Sequence, residues 1–113
     1  MSIYENENFQ QQNFTESHFE HQEYEGCTFT QCDFLNANLS GSKFIDCTFE
    51  ECNLGGAKLE GVAFQQVNFE QCKMLGLYFE SCNPFGLKMK FDACQLDMSS
   101  FYQLKLKETG FLN

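Results

Sequence analysis

The sequence predicts a solenoid whose backbone turns a corner every five residues, and three observations carry that prediction. First, a large apolar side chain returns at every fifth position along the middle of the chain: Phe29, Phe34, Leu39, Phe44, Phe49, Leu54, Leu59, Phe64, Phe69, Met74 and Phe79. Second, the residue two places before each of these is small or apolar: Cys27, Cys32, Ala37, Ser42, Cys47, Cys52, Ala57, Val62, Val67, Cys72 and Leu77. Third, of the 14 Phe only Phe85 stands outside this frame once its later continuation is included. A period of five is neither the 3.6 of an amphipathic helix nor the 2 of a half-buried strand. No helix of useful length can be read.

The elements follow in chain order. The frame already runs through Tyr4, Phe9, Phe14, Phe19 and Tyr24, but the matching inner positions hold Ser2, Glu7, Gln12, Ser17 and Gln22. These are polar and mostly too large for an interior. A solenoid needs an atypical terminal repeat with a polar outer face, so residues 1–22 are expected to form an N-terminal capping coil. The regular shaft continues to Phe79. The next frame position falls on Pro84, the only proline. The pattern resumes at Phe91, Leu96, Phe101, Leu106 and Phe111, so the step from Phe79 to Phe91 is 12 residues instead of 10. Two residues are therefore inserted in a break at 81–90, where Pro84 and Gly86 suit a bulge or loop. Phe85 becomes an expected exposed aromatic. The whole of 1–113 reads as one domain. The chain stops at Phe111-Leu112-Asn113 in mid-repeat. A truncated C-terminus, in a fragment of a longer protein, is the expectation; the other reading is a last coil covered by another subunit.

Charge excludes one class of function. There are 16 Asp and Glu against 7 Lys and no Arg, for a net charge of −9. The imbalance is concentrated: residues 1–42 hold Glu5, Glu7, Glu16, Glu20, Glu23, Glu25 and Asp33 with no basic partner. Nucleic-acid binding needs the opposite sign, so no direct DNA or RNA contact is expected. An acidic surface suits solubility, or a protein partner built to receive something negative. The polar N-terminus MSIYENENFQQQ lacks a signal-peptide pattern, and no apolar run approaches a membrane span. Seven Cys without a CxxC pair argue against a secreted disulfide scaffold. A reduced, cytoplasmic location fits.

The repeat resembles the A(D/N)LXX motif of the pentapeptide-repeat family. It reads ANLSG at 37–41, CTFEE at 47–51, CNLGG at 52–56, AKLEG at 57–61 and VNFEQ at 67–71. The resemblance covers nearly the whole chain. It implies an all-β fold, a right-handed quadrilateral parallel β-helix with four five-residue faces and about 20 residues per coil. A narrower likeness lies in MLGLYFESC (74–82) and MKFDACQLDMSSF (89–101), which resemble the quinolone-resistance (Qnr-like) branch. That likeness implies a protein shaped like a B-DNA rod, a homodimer joined through C-terminal coils, and DNA gyrase or topoisomerase IV as partner. The chain departs from the pattern in lacking the length and the C-terminal dimerising part.

Four faces per coil stack residues twenty apart at the spacing of neighbouring strands, about 4.8 Å. Phe29 should then lie on Phe49 and Phe69, and Phe14 on Phe34, Leu54 and Met74. Burying a Phe or Leu is worth about 1.5–3 kcal/mol, so these columns supply the bulk of stability. Cys32, Cys52 and Cys72 should form one ladder and Cys27 with Cys47 another. Ligands in a straight ladder do not converge tetrahedrally, and the spacing exceeds that of a disulfide. The thiols therefore read as small buried hydrophobes, and no metal or other cofactor is expected. Outward acids stack too: Glu20, Glu60 and Glu80 with Ser40 on one face, Glu50 and Glu70 on another with Glu51 alongside. Leu35, Gly55 and Leu75 form a candidate apolar strip, with Ile45 at the equivalent position on a neighbouring face. His18 and His21 lie outward in the cap without a nucleophile or second base, and GG at 55–56 is two repeat positions, not a phosphate loop.

The expected function is non-enzymatic. An acidic rod would stand in for DNA in the basic groove of a type II topoisomerase, with Glu20, Glu50, Glu51, Glu60, Glu70 and Glu80 as contributors and Phe85 as a side-chain anchor. The alternative is a structural or scaffolding pentapeptide-repeat module with no topoisomerase link.

Overall fold

The structure is a computed structural model that describes residues 2–104 and 110–112, with the side chains of Phe111 and Leu112 left aside. Of the expected frame positions, Leu106 and the Phe111 side chain lie outside the described residues. The chain forms the expected right-handed quadrilateral parallel β-helix, about five coils of about 20 residues. Two adjacent faces of each coil are strands. On the first face β1 (Ser2–Glu5), β3 (Gln22–Glu25), β5 (Lys43–Ile45) and β7 (Ala63–Gln65) form a four-stranded parallel sheet in that order. On the second, β2 (Asn8–Gln10), β4 (Thr28–Thr30), β6 (Thr48–Glu50), β8 (Val67–Glu70), β9 (Met89–Asp92) and β10 (Gly110–Leu112) form a six-stranded one. The third and fourth faces are built from turns. Their frame carbonyls accept from the N–H three residues on, as in Ala37 to Phe34 (2.9 Å) and Val62 to Leu59 (3.0 Å). On the third face an Asn or Asp just before the frame residue caps the turn, as Asp33 Oδ1 accepts from Leu35 N–H and Asn53 Oδ1 from Gly55 N–H, both at 3.0 Å; on the fourth face Asn38 Oδ1 does the same for Ser40 N–H at 3.1 Å.

The five-residue corner has a backbone cause. Two residues after most frame positions φ is positive, as at Gln31 (52°), Asp46 (53°) and Glu51 (52°) as well as at Gly26 and Gly56. Left-handed backbone turns the chain from one face to the next at each corner, at a cost of about 1–2 kcal/mol for a residue with a Cβ. Gly56 escapes that strain, and a Cβ there would also collide with Asn36 Oδ1.

Ladders fill the interior in the expected register. Tyr4 pairs with Tyr24 and Tyr24 with Phe44, twenty apart. Phe9, Phe29, Phe49 and Phe69 stack at centroid distances of 4.9, 4.8 and 5.2 Å. Phe34 stacks on Phe14 at 5.0 Å. Neighbouring columns meet edge to face, as Phe49 does with Phe34 (5.6 Å, 67°) and Phe44 (5.3 Å, 64°), the arrangement that ring quadrupoles favour. Residues 1–22 carry β1 and β2 and share the register. In this first coil Tyr4, Phe9 and Phe14 are only half-buried and Glu7 and Gln12 are exposed.

The break falls on the first face. There the repeat 82–86 is a turn where the coils below have strands. Asn83 Oδ1 accepts from Phe85 N–H (3.0 Å), Leu87 N–H donates to Pro84 O (3.3 Å) and Gly86 has φ +65°. Pro84 has no N–H to give to a sheet, so the four-stranded sheet ends at β7. Leu87 and Lys88 are the two extra residues: Lys88 N–H donates to Phe64 O (3.1 Å), while its carbonyl accepts from Val67 N–H (3.0 Å). They cover the sheet edge that the turn would leave open. Beyond them the register is 22, with Phe69 opposite Phe91 and Glu70 opposite Asp92.

Phe49→Ala should destabilise the protein by about 3–5 kcal/mol, because Phe49 is fully buried between stacked rings. Phe9→Ala, in the half-buried first coil, should cost less than half as much. Urea unfolding of the two variants checks the order; equal losses would mean that the first coil is packed as tightly as the shaft.

Candidate functional site

Each outward position repeats coil after coil, so like residues become neighbours. Glu50 lies opposite Glu70, and Glu70 opposite Asp92, on the six-stranded sheet. These are three carboxylates in line at the strand spacing of about 4.8 Å. Thr30 continues the line below Glu50. Glu51 sits on the adjoining corner and its N–H donates to Glu70 O at 2.8 Å. The structure therefore brings Glu50, Glu51 and Glu70 together. Asp92 belongs with them and was missed by the sequence reading. The signal was available: Asp92 follows Phe91 as Glu70 follows Phe69, once the two-residue shift is applied to outward positions as well as inward ones.

Glu20, Glu60 and Glu80 lie on the fourth face, across the shaft from that ladder. Glu20 and Glu60 are exposed, with Ser40 between their coils. Glu20 Oε1 is 3.5 Å from His21 Nε2. Glu80 lies in a short 3-10 helix, Phe79–Ser81, and its Oε1 is buried without a hydrogen bond from any described residue. The six expected acids thus form two groups on opposite faces. Phe85 belongs to neither: it projects from the turn on the first face, 78% exposed. A further acidic group occupies that face lower down. Glu5 lies opposite Glu25, and Glu23 is 3.8 Å from Lys43 Nζ. A hydrogen bond shared with Glu23 raises the pKa of the Glu25 carboxyl, with some desolvation adding to it.

The apolar strip is present at Leu35 and Leu75, both exposed, with Gly55 between them and Leu35 lying against it. Ile45 is half-buried. Sequence reasoning missed Tyr78, Met98 and Tyr102, which are 63%, 90% and 68% exposed on the upper coils. Tyr78 and Tyr102 stand next to frame residues and Met98 at a corner, all outward positions, but only the shifted frame says so for Met98 and Tyr102.

The seven thiols are unbonded to one another, six of them buried and Cys94 half-buried. Burial pushes the Cys47 and Cys82 thiols up to about 12, which suits packing and not nucleophilic chemistry. Among the described residues no three His, Cys, Asp or Glu are grouped to hold a metal ion, and no helix is long and apolar enough to cross a membrane.

In the ladder, stacked like charges repel. Glu70→Gln removes the middle charge and should raise stability by about 0.5 kcal/mol at low salt. At about 1 M salt the gain should vanish, because the Debye length falls to about 3 Å. Urea unfolding at both ionic strengths checks this. A loss of stability at low salt would show that Glu70 makes a favourable interaction instead.

Two solved structures share the architecture. A trypsin-treated form of QnrB1, a plasmid-mediated fluoroquinolone resistance protein, superposes with a TM-score of 0.62 at 22% identity, covering 96% of this chain and 54% of that one. Full-length QnrB1 gives a TM-score of 0.53 at 15% identity, covering 98% of this chain and 94% of that one. The chain thus spans about half the length of the first, and at these identities the likeness is one of fold. No curated protein matches the sequence. Residues 12–50 match the profile of pentapeptide repeats in eight copies, and residues 42–113 that of a pentapeptide repeat region. With the corner, the ladders and the five-residue frame in agreement, the chain belongs to the pentapeptide-repeat family.

Proposed function

We propose that this is a cytoplasmic, non-enzymatic interaction protein that presents its acidic ladder to the DNA-holding groove of a type II topoisomerase, DNA gyrase or topoisomerase IV. The observation that carries the reading is the unbroken line Glu50–Glu70–Asp92 on the six-stranded sheet. The parallel sheet fixes the backbone pitch of the three carboxylates, so the backbone has little freedom left to lose on binding. In a basic groove they take the place of phosphates, and attraction of this kind speeds association and weakens with salt. The fold likeness to QnrB1 supports the choice of partner.

Dimensions limit the mimicry. One carboxylate per about 4.8 Å is sparser than one phosphate per about 3.4 Å of axis on each DNA strand. The longest extent, 31 Å, matches about nine base pairs at that rise. A groove that grips more DNA would need two copies end to end, or more coils. The second reading, a scaffolding module without a topoisomerase link, is favoured by the division of the acids between opposite faces.

A gyrase supercoiling assay with and without a fluoroquinolone separates the two. The first reading expects inhibition of supercoiling, or protection from the drug, that declines as salt rises. Replacing Glu50, Glu70 and Asp92 together by Lys should abolish the effect with the circular dichroism unchanged. The same change at Glu20, Glu60 and Glu80 should leave most of it. No effect of the native chain at tens of micromolar rejects the topoisomerase reading. Equal loss from both sets rejects the assignment of the ladder as the contact face.

A further inference from the structure

We propose that two copies of this chain pair side by side and antiparallel through the third face of the shaft. The outward side chains there form two columns. Asp33, Asn53 and Lys73 stand one above the other in paired backbone positions. Leu35, Gly55 and Leu75 stand beside them, held in register by Asn36 N–H donating to Gly55 O (2.8 Å) and Gly56 N–H to Leu75 O (2.9 Å). Reading upward, one column runs acid, amide, base and the other leucine, glycine, leucine.

In the pair a two-fold axis crosses the face at Asn53 and Gly55, at right angles to the shaft, and turns each column upside down onto its own mate. Asp33 then meets the partner's Lys73, and Lys73 the partner's Asp33. Leu35 meets the partner's Leu75 in the same way, and glycine faces glycine at the centre. Each favourable contact is made twice, as an isologous interface requires. The placement is specific. A two-fold along the shaft would exchange the columns and set Lys73 against a leucine. Moving the crossing one coil down or up would set Asp33 or Lys73 against itself, and like charges so opposed are costly. The same operation at that level of the second face would set Glu50 against itself.

Charge and area favour a second copy as the occupant. Lys73 is exposed in a chain of net charge −9, and it makes no ion pair with a described residue. Asp33 lies two coils below it, about 9.6 Å away, too far to pair within one chain. Asp33 caps its turn through Oδ1, which leaves Oδ2 to accept from an ammonium. Leu35 and Leu75 are 44% and 42% exposed, and Leu35 Cδ1 lies 3.4 Å from where a Cβ on Gly55 would stand. Without that side chain the middle of the strip stays low enough for two faces to close. The face is bounded by extents of 31 and 22 Å. That gives up to about 700 Å² per copy, close to the standard ~800 Å² per partner. At the rim Glu51 faces its own mate, which holds the affinity down. Glu50, Glu70 and Asp92 lie on the neighbouring face and stay open in the pair, so the pairing does not depend on the topoisomerase reading.

Analytical ultracentrifugation of the full chain over a concentration series tests the pairing. A reversible dimer is expected at tens to hundreds of micromolar. Lys73→Glu and Asp33→Lys should each weaken it by about 10-fold or more, because two attractive pairs become repulsive. Mixed in equal amounts, the two variants should pair with each other about as tightly as the native chain does, since both crossed contacts again join an acid to a base. Glu51→Gln should tighten the dimer by removing the repulsion at the rim. Should Asp33→Lys fail to fold for want of its turn cap, Leu75→Lys is expected to abolish the dimer with the circular dichroism unchanged. A native chain that stays monomeric throughout overturns the proposal. So does a dimer that survives Lys73→Glu and Leu75→Lys, which is joined elsewhere. A mixture that pairs no better than either variant alone, or a weaker dimer in Glu51→Gln, overturns the placement of the two-fold and the proposal with it.

Discussion

Everything in this molecule depends on the hydrogen-bond ladder that runs parallel to the shaft. Corner amides such as Gln31 and Glu51 donate upward to Glu50 and Glu70 carbonyls, each at 2.8 Å. That ladder makes every residue the neighbour of its equivalent one coil away. Aromatic rings then stack on aromatic rings, thiols on thiols and carboxylates on carboxylates. The same rule that builds a core from Phe29, Phe49 and Phe69 forces Glu50, Glu70 and Asp92 together, whatever the repulsion. Core and surface are separate selections made on one lattice.

The break shows what the lattice tolerates. A strand face can become a turn face if three things happen together. An Asn caps the turn, a proline removes the sheet donor, and a short insertion returns to close the edge. Asn83, Pro84 and the pair Leu87–Lys88 do these in sequence. The core is not interrupted: Phe69 still stacks on Phe91 at 5.3 Å, two residues out of the old register. The disturbance is local and its product is the projecting Phe85.

The interior was legible because its rule is simple and the shaft from Phe29 to Phe79 obeys it at every position. A large apolar residue at the centre names the columns from Tyr4 onward, and a small or apolar one two places earlier confirms them through the shaft. The two-residue insertion was legible from the shifted frame. What was hard to see lay in the outward positions, where no repeat constrains identity. Asp92 was overlooked because the shift was applied to the core alone. The division of faces into strands and turns was also hidden, though Asn or Asp before the frame residue at 13, 33, 53 and 83 marks turn capping. The left-handed corners were signalled by Gly26, Gly41, Gly56, Gly61 and Gly76 but masked by Gln and Glu at others. Grouping the acids by face needed the coil geometry, which separates Glu50 and Glu70 from Glu60 and Glu80.

The register, with its shift by two at the break, decides which residues become neighbours. Scalar couplings across hydrogen bonds in a labelled sample read it directly. Couplings are expected from the amides of Gln31 and Glu51 to the carbonyls of Glu50 and Glu70, and then from Gln71 to Asp92. A coupling from Gln71 to Lys90 instead would keep the original register through the break and would remove Asp92 from the acidic ladder and Cys94 from the thiol column.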